Sequence, residues 1–303
     1  MADINRSTNY VALPTEVSRE ILQKTQEASA IMQLARHITL PGTGVMIPVI
    51  TGDPTAEWVA ETGVKPVSNP QVDRKLMQAY KIAVIETFSE EFVRDARALY
   101  DALVSRLPNA LSKCFDSTVL GATNKPGDYF DNFAACTAQS LIPSSDASTY
   151  DALVAADTDI ATHGGVLNGF ALGAQARGLL LTACDTTGRP LFVNSVAEGA
   201  IPMILGARTY MNKGIFKAGT AGTSGTPDIV GIAGDWSQAL YGTVEGVKIK
   251  VTDSATVTSG SGTSATTINL WQQNMVAVMA EIEVGFRADT SCFNLLTGSV
   301  PTA

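Results

Sequence analysis

The sequence has few of the residues that most enzymes and metal proteins place at their sites. It contains two histidines, His37 and His163, and four widely spaced cysteines with no CxxC pair. Neither histidine lies in a pattern with cysteine or carboxylate residues that a metal site or a catalytic triad needs. We therefore predict no catalytic residue, no metal site and no cofactor. We also predict reduced, buried thiols and capping or surface roles for both histidines, with His37 at the end of a helix.

Charged side chains are scarce, and basic ones are scarcer than acidic ones. They make up 17% of the 303 residues, and 21 Lys and Arg against 29 Asp and Glu give a formal net charge of -8. A dedicated nucleic-acid-binding protein needs clustered basic side chains to neutralise phosphates, so this balance disfavours that class. A lightly charged surface on a chain that is 45% hydrophobic indicates instead that other copies cover part of the exterior.

Export signals and long apolar runs are missing too. The opening segment, MADINRSTNY, lacks the basic-then-apolar order of a signal peptide, and no run approaches the roughly 20 apolar residues of a membrane span. The Gly-rich tract at 219–225 has neither a phosphate-loop ending nor the spacing of a nucleophile elbow. We predict synthesis in the cytosol and no membrane association. An α/β enzyme and an exported, adhesin-like protein remain alternatives that these features disfavour.

The first half of the chain contains long periodic segments. Residues 1–13 are polar without a period and predict an extended arm. Helical spacing predicts a helix from Pro14 to about His37, and apolar alternation predicts strands over 45–50 and 74–88. A helical stripe from Phe92 to Val119 predicts the longest helix, with a kink or restart at Pro108.

The second half alternates shorter elements. The predicted elements are helices near 146–161 and 174–184 and strands at 169–172, 247–251 and 276–286. Glu281 and Glu283 are expected to point outward from the last strand. The Gly, Ser and Thr tracts at 218–227 and 252–267 predict surface loops.

Residues 51–72 predict a long loop that carries Trp58 in an exposed setting. Loops of this length inside a compact domain are more often functional than idle. Burial of a Trp ring against another chain, about 150 to 250 Å² at 25 cal/mol per Å², would contribute roughly 4 to 6 kcal/mol before entropic losses. A Trp folded back on its own core is the alternative. The predicted intersubunit contact residues are Glu57, Trp58, Val59, Glu61 and Lys65.

Several segments, taken in order, resemble one family. They are AEWVAETGVKPVS within 53–70, YKIAVIETFSEEFVRD at 80–95, ALGAQARGLLLTACDTTGRPLF from Ala171, Ile204 to Arg208, Gly234-Asp235-Trp236 with Tyr241, and Val284 to Asp289 with Cys292-Phe293. Their order resembles the major capsid proteins of tailed phages, whose fold is named for bacteriophage Hong Kong 97. The resemblance covers roughly residues 14–297.

The resemblance implies an α+β phage capsid fold of the Hong Kong 97 type. The implied parts are an N-terminal arm at 1–13, a peripheral domain with a long spine helix at 14–50, 73–139 and 269–289, an extended loop at 51–72, and an axial domain at 140–268 and 290–303. Some relatives join a loop lysine covalently to a distant asparagine. Lys65 is the loop lysine here, but no acceptor segment matches, and we predict no cross-link.

The implied function is that of a major capsid protein, a structural protein of the virion. Copies of the chain would assemble as pentamers and hexamers into an icosahedral head that encloses double-stranded DNA without reading its sequence. The implied site of synthesis is the host bacterial cytoplasm, and separate scaffold, portal and decoration proteins are possible partners. An encapsulin-like compartment that holds a protein cargo is the alternative within the same fold.

Overall fold

The computed structural model describes residues 29–50, 56–59, 61, 64–65, 67, 72–90, 109–143, 148–184, 191, 203–222, 225–259 and 266–299. The predicted arm, the start of the first predicted helix and the predicted break at Pro108 lie outside these residues. Helices and strands are numbered in chain order within the described ranges. The described helices are α1 at Ala30–Leu34, α2 with its described part at 109–120, α3 at Thr149–Thr162 and α4 at Ala174–Thr182.

The first main sheet, sheet I, is built around one long strand. Its strands are β1 at Arg36–Thr39, β4 at Tyr80–Ser89, β10 at Ala239–Thr243, β11 at Lys248–Thr252 and β14 at Met275–Ala288. Their order is β1-β10-β14-β11, and β4 also pairs with β14. In β14 the side chains of Ile282, Val284 and Phe286 are buried, while those of Glu281 and Glu283 reach the surface, as the alternation predicts.

The second main sheet, sheet II, carries two of the helices. Its strands are β5 at Thr137–Ser140, β6 at Gly169–Leu172, β7 at Met203–Ile204, β8 at Ala207–Met211, β9 at Ile229–Gly234 and β15 at Phe293–Thr297. Their order is β5-β15-β9-β6-β8-β7. Leu153 of α3 and Leu180 of α4 share a core with Phe170 and Leu296 of the sheet. The predicted helices near 146–161 and 174–184 and the strand at 169–172 are therefore confirmed.

Two smaller antiparallel pairs correct two predictions. One pair is β2 at Val45–Ile50 with β3 at Val72–Met77, and the other is β12 at Thr256–Ser259 with β13 at Thr266–Asn269. The single strand predicted over 74–88 is wrong, because β3 pairs with β2 whereas β4 pairs with β14. The tract at 252–267 is not simply a loop. Its threonines suit strand pairing, and they form much of β12 and β13.

The first predicted helix ends earlier than its spacing indicated. Ser29 caps α1 by accepting a hydrogen bond from the amide of Met32, and the helix ends at Leu34. The chain then continues as β1, which runs parallel to β10. The prediction that His37 ends a helix is wrong, because pairing with β10 extends the backbone where local spacing favoured a helix.

An aromatic core joins the two main sheets. Leu111, Phe115 and Val119 of α2 are buried, as their helical stripe predicts. The Phe115 and Phe286 ring centroids lie 6.0 Å apart on the side of sheet I. Towards sheet II, the ring of Phe133 stacks on that of Phe293 at 4.4 Å. These rings belong to one continuous cluster of buried residues. The chain also connects the two sheets here, since β14 leads through one 3-10 turn into β15.

Candidate intersubunit interface

The loop between β2 and β3 holds the predicted contact residues. All five are exposed in the isolated chain: Glu57, Trp58, Val59, Glu61 and Lys65. The Trp58 ring is fully exposed, so it does not fold back on the core of its own chain. Val64 and Val67 of the same loop are 95% and 85% exposed. Several uncovered apolar side chains in one loop mark a surface suited to contact another chain.

The base of the β2–β3 ribbon is fastened to the end of β14. Arg287 donates from Nε to the carbonyl oxygen of Leu76 at 2.8 Å and from Nη1 to Oδ1 of Asp131 at 2.6 Å. The other carboxylate oxygen of Asp131 accepts the amide of Ala288 at 3.2 Å. Lys75 adds a longer bond from Nζ to the carbonyl oxygen of Ala288 at 3.4 Å. These bonds fix the direction in which the ribbon leaves sheet I.

A glycine permits the turn that starts the ribbon. Gly44 has a φ of +86°, and its amide donates to the carbonyl oxygen of Pro41 at 2.9 Å. A Cβ at this position would lie 2.6 Å from the carbonyl oxygen of Met77. Both the left-handed backbone and the close strand therefore require a residue without a side chain.

The Gly-Asp-Trp segment is a structural junction between β9 and β10. Asp235 accepts hydrogen bonds from the amide and hydroxyl of Ser237 and from Nδ2 of Asn168. Burial raises the pKa of Asp235 and these hydrogen bonds lower it, and the net result lies below the ordinary value. The buried Trp236 ring donates from Nε1 to the carbonyl oxygen of Gly169 at 2.9 Å. This segment therefore has a structural role, because its hydrogen bonds hold the connection between β9 and β10 in place.

The face of sheet I opposite α2 carries both signs of charge. Its side-chain ion pairs are Lys81–Glu283 at 3.2 Å, Lys250–Glu281 at 3.9 Å and Lys248–Glu245 at 2.8 Å. Half-exposed Ile85 lies on the same face. Exposed pairs of this kind add little stability. Since the face carries both lysines and glutamates, it is a mixed polar surface and not a patch of one sign of charge.

The two histidines contact residues of the helix or strand to which they belong or of a neighbouring strand. His163 is the C-cap residue of α3, and its Nδ1 lies 2.8 Å from the carbonyl oxygen of Asp159, which confirms its capping role. His37 lies in β1, with Nε2 at 2.9 Å from the hydroxyl of Thr243 and its ring 4.9 Å from that of Tyr241. Burial lowers the pKa of His37, so its neutral form is favoured.

The sequence analysis predicts that all four cysteines are buried, but their exposure in the structure varies. All are free, and Cys292 is buried, Cys136 is half-buried, and Cys114 and Cys184 are exposed. The prediction of burial is therefore wrong for the last two. Burial raises the pKa of the Cys136 thiol to about 12.

Among the described residues, no three His, Cys, Asp or Glu side chains are grouped so that they would hold a metal ion. No helix in the described ranges is long and apolar enough to cross a membrane.

Comparisons with known proteins agree with this architecture. The profile of the phage capsid family matches residues 9–290. The probable major capsid protein gp17 of Mycobacterium phage L5 is 31% identical over 297 residues, which covers 94% of this chain and 89% of that protein. The major capsid protein of Staphylococcus phage 80alpha is 25% identical, covering 95% of this chain and 87% of its own length.

Solved structures show the same fold at lower identity. A chain from Microbacterium phage Oxtober96 superposes with a TM-score of 0.70 at 22% identity, covering 90% of this chain and 91% of that one. A chain from the capsid of an empty GTA particle gives a TM-score of 0.61 at 14% identity, with 90% of each chain covered. The fold is thus the α+β capsid fold of the Hong Kong 97 type. The chain belongs to the phage capsid family, and its function is that of a major capsid protein of a tailed phage.

Proposed function

We propose that the chain assembles as pentamers and hexamers into an icosahedral shell around double-stranded DNA, and that the loop between β2 and β3 fastens each subunit to a neighbour. The observation that carries the proposal is the fully exposed Trp58 ring at the end of a ribbon whose base Arg287 holds in place. The contacts are proposed for Glu57, Trp58, Val59, Glu61 and Lys65, all of them exposed.

This arrangement suits a subunit that occupies more than one symmetry environment. One sequence placed in both five-fold and six-fold rings needs contacts that tolerate small changes of angle. The two main sheets share one core and supply the rigid part, while a loop adapts at low cost. Modest contacts of this kind sum over a closed shell.

The domain assignment, the site of synthesis and the partner proteins that we propose are those that the resemblance to the family implies. We assign residues 1–13 to an arm, 51–72 to the extended loop, 14–50, 73–139 and 269–289 to a peripheral domain, and 140–268 and 290–303 to an axial domain. Sheet I joins β10 and β11 to β14, so the contact between these two domains includes continuous strand pairing. Synthesis in the host cytoplasm, incorporation into the virion and association with separate scaffold, portal and decoration proteins complete the proposal.

The test is assembly of the protein in a bacterial cytosol, followed by size-exclusion chromatography and electron microscopy. We expect rings or closed shells for the wild type and mainly free subunits for Trp58→Ala, because loss of a buried Trp contact weakens an interface by about 2 to 4 kcal/mol. Trp271→Ala is the matched control, since Trp271 is 74% exposed but lies in the turn before β14.

Three outcomes would contradict parts of the proposal. Wild-type-like assembly of Trp58→Ala would remove the loop contact, and equal failure of both Trp variants would show that the effect is not specific to the loop. Shells from infected cells that contain a protein cargo and no DNA would favour the encapsulin-like alternative.

A further inference from the structure

The hairpin formed by β7 and β8 presents an apolar and a basic side chain at one edge of sheet II. Met203 of β7 pairs directly with Arg208 of β8, so both side chains lie on the same face of the hairpin, and both are exposed. The neighbouring pair, Ile204 with Ala207, faces the other way and is buried in the core of sheet II. Among the described strands, β7 is the outermost on this side of the sheet. The exposed face of the hairpin is therefore directed away from the subunit's own core.

The turn of this hairpin holds a leucine in a strained conformation. Leu205 and Gly206 are the two turn residues, with φ of +50° and +78°, as in a type I′ turn. That turn favours asparagine followed by glycine, because most residues with a Cβ are strained at positive φ. Leu205 is also exposed. Strained residues cluster at functional positions, and an exposed apolar side chain there is suited to contact another chain. We call Met203, Leu205 and Arg208 the hairpin face.

Helix α3 presents a second surface near the opposite edge of sheet II. The helix packs on β5, β15 and β9, and the hydroxyl of Thr149 at its start donates to the carbonyl oxygen of Leu141, just after β5, at 3.0 Å. Three exposed residues of α3 follow one another at spacings of four and three, so they form one stripe, the α3 stripe: Tyr150, Val154 and Asp157. Six strands at about 4.8 Å spacing place the two edges of the sheet roughly 24 Å apart.

The two surfaces match each other in charge and in apolar character. The hairpin face adds the cation of Arg208 to two apolar side chains, and the α3 stripe adds the anion of Asp157 to two others. Among the residues that the structure describes, neither Arg208 nor Asp157 has an ion-pair partner. A ring that closes by rotation uses a heterologous contact, in which each subunit presents two different surfaces to its two neighbours. Complementary surfaces at opposite edges of one sheet meet this requirement when the partner is a second copy of the chain.

We propose that the hairpin face of one subunit docks on the α3 stripe of the next subunit in the same ring, with Arg208 paired to Asp157. This inference rests on the proposed assembly into rings and deepens it, because it names a contact that repeats around each ring. The contact is separate from that of the loop between β2 and β3, which carries Trp58. Its charge pair fixes the partner, since like charges placed together across an interface disfavour association.

Charge reversal tests the contact in the full-length protein produced in a bacterial cytosol, with rings and shells measured by size-exclusion chromatography and native mass spectrometry. Arg208→Glu brings two carboxylates together and Asp157→Lys brings two cations together, so each variant should need about tenfold more protein for half of it to assemble. The combined variant Arg208→Glu/Asp157→Lys restores opposite charges and should assemble as the wild type does. Lys213→Glu is the control, because it makes the same charge change on an exposed side chain beyond the other end of β8, and it should also assemble normally.

A mixture of the two single variants tests the head-to-tail arrangement. Contacts between unlike variants bring opposite charges together, whereas contacts between like variants bring like charges together. A six-membered ring in which the variants alternate satisfies every contact, and a five-membered ring cannot. The mixture should therefore form six-membered rings in preference to five-membered ones.

Leu205→Asn tests the strained turn. It places the favoured residue in the turn and removes the apolar side chain, so the unfolding midpoint of dissociated subunits should be at least that of the wild type while assembly falls. Wild-type assembly of Leu205→Asn or of both charge-reversal variants would overturn this contact alone, and so would a combined variant that assembles no better than either single one. A wild type that forms neither rings nor shells would overturn the proposed assembly together with this contact.

Discussion

Replacement of Arg287 by lysine tests whether the base of the ribbon is held as the structure shows. The guanidinium group bonds Leu76 and Asp131 in two directions, and the side chains of Arg287 and Asp131 are only 12% and 22% exposed. A lysine ammonium is a single point of charge and does not reproduce both directional bonds. Loss of one charge-assisted hydrogen bond from a largely buried site predicts a decrease of about 1.5 to 3 kcal/mol in the free energy of unfolding.

The assay is denaturant-induced unfolding of dissociated subunits, with the midpoint and slope compared between variants. Lys81→Ala is the control, because Lys81 is 62% exposed and its pair with Glu283 is expected to contribute less than about 1 kcal/mol. Arg287→Lys with stability within 0.5 kcal/mol of the wild type, or no lower than that of Lys81→Ala, would refute the reasoning, about 0.5 kcal/mol being the usual effect of a neutral surface change.

Gly44→Ala should destabilise the subunit by about 1 to 3 kcal/mol, because the backbone φ is positive and the added Cβ would meet the Met77 carbonyl oxygen. Gly42→Ala is the control and should have little effect, since no atom lies within 4 Å of a Cβ added there. Equal unfolding midpoints for the two variants would contradict this prediction. The exposed Cys184 should be alkylated by iodoacetamide at pH 8 much faster than Cys136, whose pKa burial raises to about 12; peptide mass spectrometry showing equal rates would disprove it.

Long periodic segments were predictable because their burial repeats many times. The alternation at 276–286 corresponds to β14, and the stripe through Leu111, Phe115 and Val119 corresponds to the buried side of α2. The exposed setting of Trp58 was also predictable, because Gly, Pro and Asn around it oppose regular structure.

Features created by distant partners were not predictable in this way. The strand that contains His37 depends on β10, which lies about 200 residues later in the chain. Asp131 has no local sign of its role, since Arg287 is 156 residues away. The burial of Asp116 had only a weak signal in the sequence. Ser112 and Asp116 are polar residues four apart beside the apolar stripe, and in the structure both are buried.

A cryo-electron microscopy reconstruction of the assembled shell tests the central claim most directly, since it shows where the Trp58 side chain of each subunit lies. We expect closed shells of five-fold and six-fold rings in which the Trp58 ring is buried against a neighbouring subunit. A shell in which Trp58 faces solvent, or packs on its own subunit, would contradict the proposed contact. A protein that stays monomeric alone and together with its phage's other head proteins would contradict assembly itself.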